Sequence, residues 1–456
     1  MVFNSDVFLL AFLPIVFALF WIARTRQQRY VLLTLSGYVF YGYWNWKFCF
    51  LMLFSSLVSY FAALGISRTE TARGKRAWVV ASVSVDLTLL GFFKYYNFLA
   101  ASLAALSSKI APPLLDIVLP IGISFYTFHT ISYIVDVAAG RVKAARNLFE
   151  YLTYVSLFSQ LVAGPIVRYR QIEEDLEHID GPPREDWIAR GIGFFVMGMI
   201  RKVMLADQIA AQINPLIDGM AQLSTGAAWV AALGYTCQLY FDFSGYSDMA
   251  IGLGYLFGLR IPQNFNSPYK AAGIRDFWRR WHISLSTWLR DYLYIALGGS
   301  RGSALRTHIN LLITMLLGGL WHGANWTFVI WGGYHGVLLI LDRVLEPWWK
   351  AVPRPLYQLA TFLAVVCGWV FFRAPSVGVA GEWFRRMAGA GNGATPAGPL
   401  AVLWVWFGLL AVIFLPESWD IRFGTQRRWA PVYAAGLFIA YLFMKQTKTV
   451  FLYYQF

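Results

Sequence analysis

One imidazole stands in an otherwise apolar stretch of the chain. This is His322, in the segment "GGLWHGANWTFVIWGG" that runs from Gly318 to Gly333. A buried imidazole without a partner costs about 1–3 kcal/mol, so the ring must hydrogen-bond to a neighbour or meet water. A neutral imidazole in such a place can take the proton of a hydroxyl, while Asn325 can orient the ring or bind a substrate. The alternative is a packing histidine whose hydrogen bonds are satisfied inside the protein.

A second stretch combines arginine, tryptophan and histidine. "RDFWRRWHISLSTWLRD", from Arg275 to Asp291, places Arg279, Arg280 and Trp281 directly before His282. Arginine side chains suit the phosphates of a charged cytosolic substrate, and we predict that this stretch contributes to a substrate site. The alternative is an amphipathic helix that lies at the membrane surface and has no chemical role.

Carboxylates also occur inside apolar runs. Asp242 and Asp248 lie in "CQLYFDFSGYSDMAIG", and His129 and Asp136 lie about two helical turns apart in "LPIGISFYTFHTISYIVD". Charged groups at this depth normally face a protein interior or a wet cavity. The carboxylates therefore either belong to a substrate site or only bind helices to one another.

Membrane helices must hold all of these residues. Of the 456 residues, 58% are hydrophobic and 14% are charged. Apolar runs of about 17 to 25 residues recur along the chain, long enough to cross a bilayer as helices. We predict one integral membrane domain over residues 1–456, all-α and polytopic, with about 11–12 crossings. Leu148 to Val167 contains "AGP" and is predicted to re-enter the membrane without crossing it.

Basic loops set the predicted orientation. The positive-inside rule places "RTRQQR", Arg24 to Arg29, and "SRTETARGKR", Ser67 to Arg76, in the cytoplasm, so both termini are predicted to be periplasmic. The formal net charge of +14 then reflects cytoplasmic loops near anionic lipid. Nucleic acid is not expected as a partner, because no recognition motif is present. The three cysteines lie far apart and predict neither a disulfide framework nor a metal site.

Three motifs in this order resemble the membrane-bound O-acyltransferase superfamily. They are "FDFSGYSDMAIG", "NFNSPYKAAGIRDFWRRWHISLSTWLRDYLYIALGG" and "LLGGLWHGANWTFVIWGGYHG", and they are similar to the membrane subunits of bacterial alginate O-acetylation and of teichoic-acid D-alanylation. The resemblance implies helices around a central funnel and pore. It also implies a general base at His322 and a second polar position at His282, toward the cytoplasmic side of the pore. The positions that match with a less settled role are Asp242, Asp248, Asn264 and Asn266.

The resemblance further implies transfer of acetyl groups across the bacterial inner membrane. The implied donor is cytosolic acetyl-coenzyme A, with no permanently bound cofactor. The implied acceptor is an extracytoplasmic polysaccharide, alginate in the first place and another exopolysaccharide such as cellulose in the second. Relatives act with periplasmic SGNH-hydrolase-like acetyltransferase partners and a polysaccharide synthesis complex, and the same partners are expected here. The rival classes are a proton-coupled transporter or flippase and a structural scaffold.

The last six residues, "FLYYQF", are too apolar to extend freely into water and are expected to pack against membrane, partner or protein. One interpretation is an aromatic anchor at the membrane surface. The other comes from the resemblance, because a small partner in the teichoic-acid system ends in a similar tail whose tyrosine is proposed to carry the acyl group. It implies that Tyr453 helps to hand acetyl onward, with His322 as its base.

Overall fold

The computed structural model describes residues 1–107, 111–390, 393–446 and 452. Within these ranges the chain is helical, and the one β-type contact is an isolated bridge between Leu223 and Thr395. The all-α prediction is therefore confirmed. The chain divides into two compact units, of which the first comprises Met1–Phe195, Met249–Pro262 and Phe423–Arg427, and the second comprises the remainder. The prediction of a single domain over residues 1–456 stays a prediction.

The first unit contains helices α1 to α8 and most of α9. They are α1 Leu13–Ile22, α2 Arg26–Asn45, α3 Lys47–Arg68, α4 Ala72–Leu90, α5 Tyr96–Leu106, α6 Ile123–Ala138, α7 Leu148–Ser156, α8 Tyr169–Glu177 and α9 Glu185–Met199. Short π-helical stretches precede α1 and join α4 to α5. Helix α6 lies at the centre of this unit, since all but two of its 16 residues are buried.

Polar side chains connect the helices around α6. Asp86 of α4 accepts hydrogen bonds from the hydroxyls of Ser55 at 2.6 Å and Thr130 at 2.7 Å, which belong to α3 and α6. Asp136 at the end of α6 forms an ion pair with Arg141 at 2.9 Å. A carboxylate in apolar surroundings is expensive unless such partners are supplied. Asp136 is thus engaged in holding the fold together.

Three helical stretches in the described part of the chain are long and apolar enough to cross a bilayer: Lys47–Arg68, Ala72–Leu106 and Arg354–Arg373. Two more, Val7–Ile22 and Pro399–Phe414, are apolar but shorter. Helix α7 ends after nine residues and is followed by buried turns, so no continuous helix spans Leu148 to Val167, in agreement with the prediction. The total number of crossings stays a prediction.

The second unit contains the remaining helices. They are α10 Asp207–Asp218, α11 Thr225–Leu256, α12 Ile274–Arg280, α13 Ile283–Trp288, α14 Ala304–His322, α15 Trp326–Val344, α16 Glu346–Trp349, α17 Arg354–Arg373, α18 Val377–Met387, α19 Pro399–Phe414 and α20 Ala430–Gln446, the end of α11 belonging to the first unit. A π-helical stretch, Ile200–Ala206, leads into α10. Two of these helices, α12 and α13, are short, and His282 lies in the connection between them.

Glycines bring α14 and α15 together as a tight hairpin. A Cβ atom on Gly319 would lie 3.0 Å from the Cα of Gly332 and would collide with the carbonyl of Phe328. A Cβ atom on Gly332 would in turn collide with the carbonyl of Met315. Small residues at such positions let helix backbones approach closely. The hairpin therefore fixes the end of α14, which is His322.

Candidate functional site

His322 ends α14 and lies among aromatic side chains. Its ring centroid is 5.0 Å from that of Trp321, 5.2 Å from Trp331 and 5.2 Å from Phe372. Only 6% of the residue is exposed. Gly323, which follows, is extended and turns the chain out of the helix. The aromatic walls hold the imidazole in one place, as a general base requires if it is to meet a substrate hydroxyl at hydrogen-bond distance.

His282 lies in the short connection between α12 and α13 and is fully buried. Its backbone is left-handed, with φ 43° and ψ 55°. Residues other than glycine rarely adopt this conformation, and they keep it only where the surrounding structure imposes it, often at functional sites. The ring packs edge-on against Phe243 at 4.6 Å. The backbone and the packing together determine where this imidazole lies.

Asn264 orients the His282 ring. The amide oxygen of Asn264 is 3.1 Å from His282 Nδ1, and it accepts hydrogen bonds from the backbone N–H and the hydroxyl of Ser284 at 3.2 Å and 2.8 Å. The amide nitrogen of Asn264 donates to the hydroxyl of Ser247 on α11 at 3.1 Å. The backbone N–H of Ser284 can only donate, so the Asn264 atom that it contacts must be the amide oxygen. The same oxygen lies beside Nδ1 of His282 and can only accept, and Nδ1 therefore carries the proton. In the neutral ring, Nε2 is therefore the proton acceptor.

The structure brings the two predicted histidines together. The ring centroids of His282 and His322 are 6.4 Å apart, and Trp321 lies 6.2 Å from the first and 5.0 Å from the second. Groups that act on one reacting centre lie within about 3–3.5 Å of it, which a ring separation of this size allows. Two imidazoles placed in this way can serve the two partners of one transfer reaction.

Asp242 is held in an ion pair. It is 2% exposed, and its Oδ1 is 2.6 Å from the Nζ of Lys202. The same Nζ lies 2.6 Å from Oδ1 of Asp207. A buried carboxylate needs such partners, because desolvation of an unpaired charge is costly. Of the two interpretations that the sequence allowed, this contact supports the one in which Asp242 binds helices to one another.

Asp248 is held in the same manner by a larger network. Arg201 Nη1 is 2.9 Å from Oδ2 of Asp248 and 2.8 Å from Oε1 of Glu417. The Ser418 hydroxyl donates to Asp248 Oδ2 at 2.6 Å, and the Tyr240 hydroxyl donates to Glu417 Oε2 at 2.8 Å. Every group in this network is buried. Asp248 thus forms part of a rigid polar core of the second unit.

Sequence reasoning missed the bases of these networks, Arg201 and Lys202, and the acid Glu417. The available signal was "MIRKVMLAD", in which two adjacent bases interrupt an apolar run. Bases at this depth normally pair with acids, and two acids lay in the next apolar segment. Gly245 allows the backbone of α11 to approach the segment that carries these bases. A Cβ atom at Gly245 would lie 2.8 Å from the carbonyl of Gly198 and 3.0 Å from the amide of Lys202.

Arg279 and Arg280 of the second motif are described by contacts with groups other than the two histidines. Arg280 Nε donates to Asp276 at 2.9 Å and its Nη1 donates to the carbonyl of Asn266 at 3.2 Å. Arg279 is exposed and lines a polar pocket of about 420 Å³. Trp281 is buried against Trp369, with ring centroids 4.7 Å apart. A role of these residues in substrate binding stays a prediction.

Asn325 caps the helix that follows His322. Its side-chain oxygen accepts from the backbone N–H of Thr327 at 3.0 Å, and its side-chain nitrogen donates to the carbonyl of Pro375 at 3.0 Å. Both functional atoms are therefore used in positioning α15. Each of the two atoms keeps the capacity for a second hydrogen bond, so the predicted role of Asn325 in substrate binding stays a prediction.

Tyr453 lies outside the described residues, but its neighbour Leu452 is described. Leu452 is 4% exposed, and its backbone N–H donates to Oδ2 of Asp242 at 3.0 Å. Leu452 itself is thus packed inside the protein, whereas the other residues of the tail lie outside the described ranges, and the packing of the tail stays a prediction. The hydrogen bond links this residue to the ion pair of Asp242 with Lys202.

No metal-binding cluster of three or more histidine, cysteine or acidic side chains occurs in the described ranges. The cysteines Cys49, Cys237 and Cys367 are free thiols. The prediction that no cofactor is bound permanently stays a prediction.

Comparison with known proteins relates this site to a family. The family described as "MBOAT, membrane-bound O-acyltransferase family" matches residues 43–379. The chain is 47% identical over 405 residues to the "Probable alginate O-acetylase" of Azotobacter vinelandii, and the aligned region covers 86% of this chain and 79% of that protein. It is 37% identical over 422 residues to the peptidoglycan O-acetyltransferase of Helicobacter pylori, covering 85% and 80%. It is also 29% identical over 255 residues to the teichoic acid D-alanyltransferase of Bacillus subtilis, covering 54% and 65%. Both His282 and His322 lie inside the matched range.

Proposed function

The chain belongs to the membrane-bound O-acyltransferase family, and on this premise we propose that it transfers acetyl groups from cytosolic acetyl-coenzyme A toward an extracytoplasmic polysaccharide. Family membership makes the protein a polytopic membrane O-acyltransferase, which decides against the transporter and the scaffold. The donor, the acceptor and the direction of transfer are parts of the proposal. The single observation that carries it is the approach of the His282 and His322 rings to 6.4 Å.

In the proposed step, His322 acts as general base. It takes the proton of the acceptor hydroxyl while the hydroxyl oxygen attacks the carbonyl carbon of the acetyl thioester. The new C–O bond forms, the C–S bond breaks, and the sulfur of coenzyme A leaves and takes up a proton. General base catalysis of this kind contributes about 10²–10⁴-fold to the rate. Holding donor and acceptor together contributes a further entropic advantage.

His282 is proposed to bind the donor. The sequence left two roles open, polarisation of the thioester carbonyl and donor binding. With its Nδ1 proton directed to Asn264, the neutral ring offers an acceptor at Nε2 and has no second N–H to donate to a carbonyl. Accepting a hydrogen bond from the donor therefore fits the hydrogen bonding of His282 better than polarisation does.

The acceptor is proposed to be alginate. The support is the similarity to the probable alginate O-acetylase of A. vinelandii, which is 47% identical to this chain. Other exopolysaccharides such as cellulose are the second candidate. Partners of the periplasmic SGNH-hydrolase-like class and a polysaccharide synthesis complex are proposed to complete the transfer.

The proposed function is tested with purified protein in nanodiscs and acetyl-coenzyme A labelled in the acetyl group. We expect consumption of the donor and transfer of label to short polymannuronate chains, added together with the partner proteins. His322→Ala is the negative control. A wild-type protein that fails to consume the labelled donor would overturn the proposed donor.

The proposed direction of transfer makes a topology prediction. Single cysteines at Arg24 and Arg73 should react with a membrane-impermeant maleimide only after the cells are permeabilised, because both positions lie in basic segments that are predicted to be cytoplasmic. A cysteine at Leu114, which is 65% exposed and lies beyond the next predicted crossing, should react in intact cells. Labelling of Arg24→Cys or Arg73→Cys from outside would reverse the orientation.

The tail is proposed to take part in transfer through Tyr453, whose hydroxyl is then the acceptor in the step above, with His322 as its base. The acetyl ester formed on Tyr453 is next attacked by a hydroxyl of the polymer or of a partner protein, which breaks the ester bond and restores the phenol hydroxyl. Burial of Leu452 against Asp242 supports a tail that reaches into the protein. We expect Tyr453→Phe to lower polymer acetylation at least about tenfold, since it removes the nucleophilic hydroxyl and keeps the ring. Tyr454→Phe is the matched control and should remain near wild type. Normal acetylation in Tyr453→Phe would reduce the tail to an anchor.

A further inference from the structure

A basic pocket of about 600 Å³ lies in the first unit, at the ends of three helices. Arg68 from the last turn of α3 and Lys75 from the first turn of α4 form one side. Lys143 and Arg146, from the segment after α6, form the other side. Apolar residues lie between them, among them Ile66 and Val137, which are 1% and 8% exposed. The pocket thus has an apolar floor and a rim of four positive charges.

The positive charges of this rim are not compensated. Among the residues that the structure describes, no acidic side chain lines the pocket, and none of the four bases forms an ion pair within 4 Å. Asp136, close in sequence, is bound instead by Arg141 and Arg170. Burial raises the pKa of Glu173 and Lys143 lowers it, so this acid lies within electrostatic range of the rim, and Glu70 lines a neighbouring pocket together with Lys75. Four like charges around one cavity repel one another unless an anion occupies it.

The position of the pocket indicates where such an anion comes from. Helix α3 and the helical stretch Ala72–Leu106 are two of the three stretches that are long and apolar enough to cross a bilayer. The pocket lies where these two meet, at Arg68 and Lys75, and therefore at the level where lipid headgroups begin. The same two helices expose large apolar side chains, such as Phe61 at 59% and Trp78 at 43%, which suits a molecule with an anionic head and an apolar body.

We propose that this pocket binds an anionic phospholipid, with the headgroup phosphate among Arg68, Lys75, Lys143 and Arg146 and the upper acyl chain against the apolar floor. Arginine and lysine bind phosphate oxygens through charge-assisted hydrogen bonds. The four bases together carry more positive charge than is needed to balance the single negative charge of a phosphodiester. The site is separate from the histidine pair, and its existence does not depend on the proposed acetyl transfer. A bound lipid connects α3, α4 and the segment after α6.

The test uses the full-length protein reconstituted in nanodiscs of phosphatidylcholine with and without phosphatidylglycerol. Native mass spectrometry then counts the phosphatidylglycerol molecules retained after transfer to detergent, and a titration gives the apparent affinity. The test variant is Arg68→Gln with Lys143→Gln and Arg146→Gln. Each base near an anionic headgroup contributes about fivefold to binding, so the triple variant should lose about 100-fold in affinity for the tightest lipid.

The matched control removes three exposed arginines that do not line the pocket, as Arg24→Gln with Arg73→Gln and Arg343→Gln. It lowers the net charge equally and should keep the tightly held lipid. Equal retention by wild type and the pocket variant would overturn the proposal. So would displacement of phosphatidylglycerol by added coenzyme A, which would assign the pocket to a soluble phosphate. Thermal unfolding in lipid-free detergent, expected to be the same for both triple variants, shows that the pocket variant is folded.

Discussion

Replacing His322 with alanine is expected to abolish polymer acetylation, with a loss of about 10²–10⁴-fold, while the protein still accumulates in membranes. The reason is that His322 is the proposed base, and without it no group takes the proton of the attacking hydroxyl. Trp331 and Phe372 hold the ring at the end of a glycine-packed hairpin. The measurement is the rate of label transfer from acetyl-coenzyme A, normalised to the amount of folded protein.

His335 provides the control for lost packing. It is fully buried, and its ring lies 5.0 Å from Trp331, which also contacts His322 at 5.2 Å. In the described part of the chain neither ring nitrogen of His335 has a hydrogen-bond partner. His335→Ala therefore removes an imidazole from the same aromatic cluster without removing the proposed base. Acetylation near the wild-type rate in His322→Ala, or equal losses in both variants, would remove His322 from the mechanism.

Replacing His282 with alanine is expected to lower transfer by about 10²-fold, chiefly through the Michaelis constant for acetyl-coenzyme A. The proposed role of His282 is to accept a hydrogen bond from the donor, so its loss weakens donor binding. Initial rates at several donor concentrations separate this effect from a loss in turnover number. If donor binding and turnover both survive the change, the segment around His282 is an interfacial anchor, as the composition also allowed.

Asn264 tests how His282 is oriented. Asn264→Asp keeps an oxygen beside Nδ1 and the Ser284 donors, whereas Asn264→Ala removes it. We expect Asn264→Ala to raise the Michaelis constant for the donor by about 10-fold and Asn264→Asp to raise it less, in line with the usual cost of losing an orienting partner. The same Michaelis constant in both variants would show that the amide oxygen does not position the ring.

Composition and apolar run length were sufficient to predict an all-helical membrane protein with long apolar helices. Long segments such as Lys47–Arg68 and Arg354–Arg373 are recognisable because a bilayer requires an uninterrupted apolar run. The interruption of the helix between Leu148 and Val167 was also predictable, since polar and helix-breaking residues lie there, whereas re-entry of this segment into the membrane stays a prediction. The start of α6 at Ile123 was not predictable in this way, because it depends on the left-handed backbone of Gly122.

By itself, the sequence indicated the all-helical membrane class and made His322 a candidate for chemistry, because an imidazole in an apolar segment stands out. The resemblance to the O-acyltransferase family added His282 and set both apart from other imidazoles in apolar segments, such as His129. Only the tertiary structure decided that these two rings lie 6.4 Å apart and that Asn264 sets the proton on His282. It also decided that Asp242 and Asp248 are neutralised by Lys202 and Arg201. The physical reason is that pairing of buried charges and contacts between rings depend on which helices pack together. Helix packing is governed here by close contacts such as those of Gly245 and Gly319, and residues far apart in the sequence make them.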